Sequence, residues 1–242
     1  MGARDAIELV AAHRIRGAAE AAPPVLGGAD VLVEGQAARR QIRRHLRRVE
    51  PEGPPLAGGV EGGEEPPRET KSAQKIAQTL GASTKIIDLA ALKNIFGDVT
   101  SLCNANIPLT SEFTSPIIVP FRNAIFLSAA VAYAVSVGAE KIFYGAQGSD
   151  EPFYPDCRKE FYQAFEKAAR LGTCQEISIQ APFSNLRKSD VIKKAAELGV
   201  PFEFTWSCYL NGTKHCGKCE SCVNRKKAFQ EAGVPDPTSY KV

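Results

Sequence analysis

Residues 119–181 read VPFRNAIFLSAAVAYAVSVGAEKIFYGAQGSDEPFYPDCRKEFYQAFEKAARLGTCQEISIQA. This run decides the fold class because its periodicity keeps switching. After Arg122-Asn123, the residues Ile125, Phe126, Ala129, Ala130, Tyr133, Ala134 and Val137 recur at helical spacing, and Gly138 ends the pattern. Glu140 to Gly145 (EKIFYG) is a short strand of the buried type. Lys159 to Arg170 is helical again and stops at Gly172, and Glu176 to Ala181 (EISIQA) is a further strand. Downstream, Ser189 caps a helix that runs to Leu198 and stops at Gly199. Upstream, Ser72 to Leu80 is helical and ends at Gly81, Ser83 to Leu89 (STKIIDL) is a short strand, and Ala90 to Phe96 is helical. Alternating strands and helices predict a parallel α/β sheet.

Ligands of such sheets sit beyond the carboxyl ends of the strands. Two loops meet that condition, Ala146 to Arg158 and Pro182 to Lys188. Val99 to Pro120, punctuated by Pro108, Pro116 and Pro120, is a third candidate, because so long a loop in a compact domain is usually functional. Arg122, held by the stiff approach of Pro120, suits an anion clamp, although a surface arginine beside an N-cap Asn123 has the same signature. Asp150, Asp156 and Arg158 share a loop with Tyr154 and Cys157. Carboxylates there suit a metal–phosphate or the donor groups of a base; a solvated loop turned by Pro152 and Pro155 is the plainer reading. Cys157 has no neighbouring histidine in sequence, which favours a packed thiol over a nucleophile. Lys188 suits phosphate or plain surface. Cys103 and Cys174 read as buried thiols, and Asn211-Gly-Thr213 as an acceptor sequon without meaning in a reducing compartment.

Farther along, residues 205–240 read TWSCYLNGTKHCGKCESCVNRKKAFQEAGVPDPTSY. Cys216-Gly-Lys-Cys219 and Cys219-Glu-Ser-Cys222 are overlapping C-x-x-C steps, with Gly217 supplying the turn, and Cys208 can complete a tetrahedron. Four thiolates leave no open position, so the zinc expected here is structural. Two disulfides or free core thiols are the competing assignment. His215 is the nearest rival ligand, and a lone loop histidine is expected to be solvated.

The 242 residues carry a net charge of +3, with 44% hydrophobic and 24% charged. Such a balance argues against nucleic acid or membrane as the main partner. The longest apolar run, Ala124 to Gly138, is short for a membrane span. Clustered cysteines without a secretory signal point to a reducing cytoplasm. Residues 1–68 stand apart: they hold ten arginines and no lysine, whereas Lys71 onward holds fifteen lysines and five arginines. Arg4 to Ala22 and Gln36 to Val49 are weak helix candidates, and Pro51 to Pro67 reads as disordered. A tail joined to an unrelated domain, a targeting extension and a stretch translated from another frame are the three explanations.

Val119 to Thr173, Ala181 to Tyr209 and the cysteine stretch with its Asp236-Pro-Thr238 ending resemble 7-cyano-7-deazaguanine synthases. YPDCR, TWSCY and HCGKCESC are the specific strings, and the resemblance runs from about Glu69 to Tyr240. It implies a Rossmann-like ATP-pyrophosphatase domain at 69–204 followed by a four-cysteine zinc module and helix at 205–242. It also implies conversion of 7-carboxy-7-deazaguanine, ammonia and ATP (with Mg²⁺) to the nitrile, a precursor of modified tRNA guanines. By resemblance, Arg122 and Asn123 belong to the nucleotide site, and Asp150, Tyr154, Asp156, Cys157 and Arg158 lie near the deazaguanine. Zinc falls to Cys208, Cys216, Cys219 and Cys222. The reading admits a homodimer and expects no direct nucleic-acid contact. One family signature is missing from the sequence: a Ser-Gly-Gly-x-Asp-Ser loop whose N–H groups cradle ATP phosphates. The nearest string, Ala57-Gly-Gly-Val-Glu-Gly62, lacks both serines and the aspartate. ATP cleavage is therefore the open question. A non-catalytic zinc-stabilised nucleobase-binding or nucleic-acid-binding domain and another ATP-dependent amide-forming ligase are the alternatives.

Overall fold

A computed structural model describes residues 6–9, 68–82, 84–88, 93–96, 99–102, 106–210 and 212–241. The expectations for Gln36 to Val49, Pro51 to Pro67, Cys103 and Asn211 lie outside these residues. The elements in chain order are β1 (Ala6–Leu9), α1 (Arg68–Leu80), β2 (Lys85–Asp88), α2 (Lys93–Phe96), α3 (Arg122–Val137), β3 (Lys141–Phe143), α4 (Lys159–Thr173), β4 (Ser178–Gln180), α5 (Lys188–Leu198) and α6 (Glu220–Ala232). Single turns of 3₁₀ helix fall at Ser115–Ile117, Pro155–Cys157 and Phe202–Phe204.

β3 and β4 pair in parallel, with Ile142 opposite Ile179. Parallel neighbours need a crossover, and α4 supplies it. The α/β class and the parallel sheet are thus present, but the sheet is narrower than the pattern implied. β2 does not join it; β2 pairs antiparallel with β1, Ile7 opposite Ile87. Ala6–Leu9 is accordingly a strand, where the sequence suggested the start of a helix. A four-residue segment, Ala6-Ile-Glu-Leu9, is too short for its periodicity to choose between the two, and pairing decided it.

The main core lies between α3, α4 and the parallel pair. Leu127, Ala130, Val131 and Ala134 from α3 meet Ile142, Tyr162, Ala169, Ile177 and Ile179. The α3 face is rich in alanine, so the helix packs close to the sheet. Gly138 closes α3 at φ 68°, where its N–H reaches Ala134 O and Val135 O. α4 runs on through Gly172, contrary to the sequence reading, and Cys174 takes the left-handed cap at φ 52°. Cys174 is also exposed rather than buried. Beside it, Glu166 accepts the Ile179 N–H at 2.7 Å and pairs with Arg170 at 3.0 Å, tying α4 to β4.

α5 starts at Lys188, and Asp190, not Ser189, orders its entry: the Asp190 carboxylate accepts from the Arg187 backbone N–H and Nε, each at 3.2 Å. Ser189 is buried in the first turn. α5 and α6 then pack through Ile192, Ala228 and Phe229, seating the cysteine stretch on the α/β layer.

Candidate functional site

Beyond the carboxyl end of β3 lies a cleft of about 840 Å³. Four segments wall it: the end of the long loop with the start of α3, the loop after β3, the start of α5, and the cysteine stretch with α6. The loop after β3 is pinned by the one after β4. Gln147 bridges Phe183 in parallel register, and the Gly148 N–H donates to Leu186 O at 2.9 Å. Ser149 Oγ accepts the Lys188 N–H at 3.1 Å, satisfying a donor of the first turn of α5.

Arg122, Asn123, Asp150, Tyr154, Asp156 and Cys157 all line this cleft. Arg122 opens α3, whose entry bends at Phe121 with φ 59°, a left-handed conformation that costs a non-glycine residue about 1 kcal/mol or more. Asn123 is not the N-cap, as the sequence suggested, but sits in the first turn. Its backbone N–H donates to Asp156 Oδ2 at 2.9 Å, and its Nδ2 donates to Asp156 O at 3.3 Å and to Cys157 Sγ at 3.2 Å. Lys188 also lines the cleft. Arg158 does not: its Nε donates to Glu151 O at 3.2 Å, within the loop.

Burial governs the ionisation here. It raises the Asp150 carboxyl above its usual range, against the pull of Lys188 and of Gln147. It pushes the Tyr154 hydroxyl up to about 12 and, with Asp150 and Asp156 adding to it, the Cys157 thiol up to about 12. This favours the neutral thiol form of Cys157. The Phe113 ring lies 4.6 Å from Phe153 and 5.7 Å from Tyr154, so the long loop contributes an aromatic wall.

The opposite wall was not legible in the sequence. The Tyr209 hydroxyl donates to Glu220 Oε2 at 2.7 Å, Asn224 Nδ2 donates to Glu220 Oε1, and the Glu220 N–H donates to Thr110 O at 3.0 Å. These residues sit among the cysteines, which drew the reading toward metal; the signal available was only that Glu220 and Asn224 share a helix face four residues apart.

The four cysteine sulfurs lie within 4.8 Å of one another. A tetrahedral zinc with bonds of about 2.3 Å separates its sulfurs by about 3.8 Å, and Cys216 Sγ and Cys222 Sγ are 3.9 Å apart. Backbone N–H groups of Leu210 and Cys216 point at Cys208 Sγ at 3.4 and 3.3 Å, and those of Lys218 and Cys219 at Cys216 Sγ at 3.4 and 3.3 Å. Donors aimed at sulfur favour thiolates, and Gly217 at φ 74° makes the turn that aims them. The cluster fits a structural zinc. His215 takes no part: it is buried, not solvated, and its Nε2 accepts the Ser207 N–H at 3.1 Å. Arg225 and Asp236 lock this module. Arg225 NH2 meets Asp236 Oδ1 at 3.1 Å, its NH1 donates to Thr205 Oγ1 at 2.8 Å, and Tyr240 donates to Asp236 Oδ2 at 2.6 Å.

Residues 60–233 match the family model described as queuosine biosynthesis protein QueC. The chain belongs to the QueC family. Proteins named 7-cyano-7-deazaguanine synthase are similar along most of their length. The one from Caldicellulosiruptor saccharolyticus is 38% identical over 183 residues, covering 74% of this chain and 81% of that protein. The one from Thermoplasma acidophilum is 42% identical over 181 residues, with 72% and 76% covered. The one from Chlorobium phaeobacteroides strain BS1 is 45% identical over 163 residues, with 64% and 71% covered. Within the QueC family, then, this chain's cleft and its cysteine cluster share one wall. Tyr209 and Glu220 lie beside the clustered cysteines in sequence and line the cavity in space.

Proposed function

We propose that the chain is a 7-cyano-7-deazaguanine synthase, a carbon–nitrogen ligase that converts 7-carboxy-7-deazaguanine to the nitrile with ammonia and ATP (with Mg²⁺). The observation that carries this reading is the long match to proteins of that name, at 38% identity over 183 residues. The cleft supports it chemically. A carboxylate is a poor electrophile, and joining its oxygen to AMP makes that oxygen a leaving group as pyrophosphate departs. Ammonia then displaces AMP to give an amide. Activating the amide oxygen the same way lets it leave as the nitrile forms. The protein's part in such chemistry is positioning and charge stabilisation.

On this reading Arg122, at the head of α3, takes a phosphate of the nucleotide, and Asn123 holds the loop that carries Asp156 and Cys157 against that helix. Asp150 and Tyr154 face the deazaguanine. Arg158 acts on loop shape rather than on substrate. Zinc on Cys208, Cys216, Cys219 and Cys222 keeps the far wall of the cleft in place. Residues that cradle the ATP phosphates are not assigned, because Ser-Gly-Gly-x-Asp-Ser is absent from the sequence. We divide the described chain into an α/β unit at 69–204 and a zinc module at 205–242, and place the enzyme in a reducing cytoplasm that spares the thiols. Among the described residues no helix is long and apolar enough to cross a membrane.

The test is pyrophosphate release by the zinc-loaded chain, with the nitrile followed by mass spectrometry. Release that requires both 7-carboxy-7-deazaguanine and ammonia supports the synthase. A folded chain that releases none loses the catalytic reading, and release with a different carboxylate moves it to another amide-forming ligase.

A further inference from the structure

Phe153 holds an aromatic ring open to the cleft. The side chain is 48% exposed and lines the cavity. Among the described residues, the large apolar side chains that stay exposed and also line this cleft are Phe153 and Val223, and of these Phe153 is the ring. The turn beneath it has no need of a phenyl group. The Phe153 and Tyr154 N–H groups both donate to Asp150 O, at 3.0 and 2.9 Å, and Pro152 and Pro155 flank the pair with their fixed φ. A polar side chain would suit that turn and would meet water without the hydration penalty of an open ring.

The ring is nevertheless held in place. Phe113 approaches it at 4.6 Å, tilted by 44°, and meets Tyr154 edge-on at 5.7 Å. Phe113 is itself fixed. Three residues before it, Thr110 O accepts the Glu220 N–H from the opposite wall at 3.0 Å, and Thr110 Oγ1 donates to Glu112 O at 2.7 Å. Phe113 thus backs the Phe153 ring, and what remains exposed is apolar surface inside a cleft otherwise lined by Arg122, Asp150, Lys188 and Glu220. One turn carries the Asp150 carboxyl, the Phe153 ring and the Tyr154 hydroxyl. A flat apolar surface next to polar groups matches a planar heterocycle, which has a π face and a polar edge.

We propose that Phe153 is a base-stacking residue, its ring lying on the face of 7-carboxy-7-deazaguanine with Phe113 behind it. This rests on the synthase reading above and extends it to the face of the base. Two planar bases enter that reaction, the deazaguanine and the adenine of ATP. The shared turn with Asp150 and Tyr154 assigns the ring to the deazaguanine.

The experiment is titration calorimetry on the full zinc-loaded chain with two probes, 7-carboxy-7-deazaguanine and ATP with Mg²⁺. Phe153→Leu keeps apolar bulk but removes the flat face, and Phe153→Trp keeps the face. The leucine variant should bind 7-carboxy-7-deazaguanine about 5- to 150-fold more weakly, the usual effect of losing one base–aromatic stack, with ATP binding and the melting curve unchanged. The tryptophan variant should bind it within about twofold of wild type. The indole introduced by Phe153→Trp should also be quenched by that compound, beyond any change in Trp206, the single tryptophan of the wild-type chain. That quenching and the tryptophan variant's affinity decide the matter if the leucine variant does not fold. Wild-type affinity in Phe153→Leu, absence of quenching in Phe153→Trp, or a loss confined to ATP overturns this proposal alone. Failure of the wild-type chain to bind 7-carboxy-7-deazaguanine removes the synthase reading and this proposal together.

Discussion

Asp156 caps a helix that begins more than thirty residues before it: its Oδ2 accepts the Asn123 backbone N–H at 2.9 Å. The local N-cap position holds Phe121, which has no side-chain acceptor. A carboxylate from the 3₁₀ turn after β3 fills that role, so the head of α3 and the cleft loop form one unit. The anion-binding character of a helix N-terminus is thereby partly spent within the protein.

Asp156→Ala should lose that cap and destabilise the fold by about 0.5–2 kcal/mol, and Asp156→Asn, which keeps an acceptor, should lose less. Thermal melts of the three proteins check this. Equal midpoints for wild type and the alanine variant would show that the contact carries no stability.

Cys219→Ser should release the metal. Elemental analysis should find one zinc per wild-type chain and close to none in the variant, because metal binding here is coupled to folding. The wall formed by Tyr209, Glu220 and Asn224 should loosen with it, seen as faster amide exchange in α6. Full metal content in the variant would contradict the four-cysteine assignment.

Asp236→Ala should be costly, about 3–5 kcal/mol, because it strands Arg225, whose side chain is only 5% exposed. Burial opposes ionisation at Asp236, but hydrogen bonds from Arg225, Tyr240 and Thr238 outweigh it and hold the carboxyl below its usual range. A depressed folded-state pKa stabilises above the ordinary carboxylate value and is lost as pH falls through the lower one. The wild-type protein should therefore lose stability below about pH 4, with a smaller loss in the variant. Parallel acid titrations of the two would refute this.

Gly148→Ala should disturb the cleft without touching ligand. An added Cβ would lie 3.0 Å from Ser184 O and 3.2 Å from Leu186 O, both backbone atoms that cannot rotate away. A cost of about 1–3 kcal/mol is expected for such overpacking. Urea melts measure it, and a neutral substitution would mean that the two loops are not locked together.

Cys157 should resist alkylation at pH 8 while the exposed Cys174 reacts, as peptide mapping by mass spectrometry can show. The Cys157 thiol is raised from 9.0 to about 12, chiefly by burial. A raised folded-state pKa leaves its contribution to stability whole below the ordinary thiol value and removes it as pH climbs toward 12. Rapid labelling of folded protein at pH 8 would argue for an activated thiolate instead.

Local pattern carried a large share of this protein. The spacing of apolar residues placed α3, α4, β3 and β4, because burying one face is a requirement written every two or every 3.6 residues. The cysteine spacing brought the four sulfurs together, because a turn of three residues brings two sulfurs close wherever it occurs. The strings YPDCR, TWSCY and HCGKCESC pointed to the family that the 60–233 match confirms. Pairing across long distances was not written that way. Nothing local told β2 to pair with β1 rather than with β3, made Asp156 the cap of α3, or turned Arg158 away toward Glu151. Glu220 reads as a helix-start carboxylate among zinc ligands, and only the packing of α6 on α5 brings it to a cleft wall.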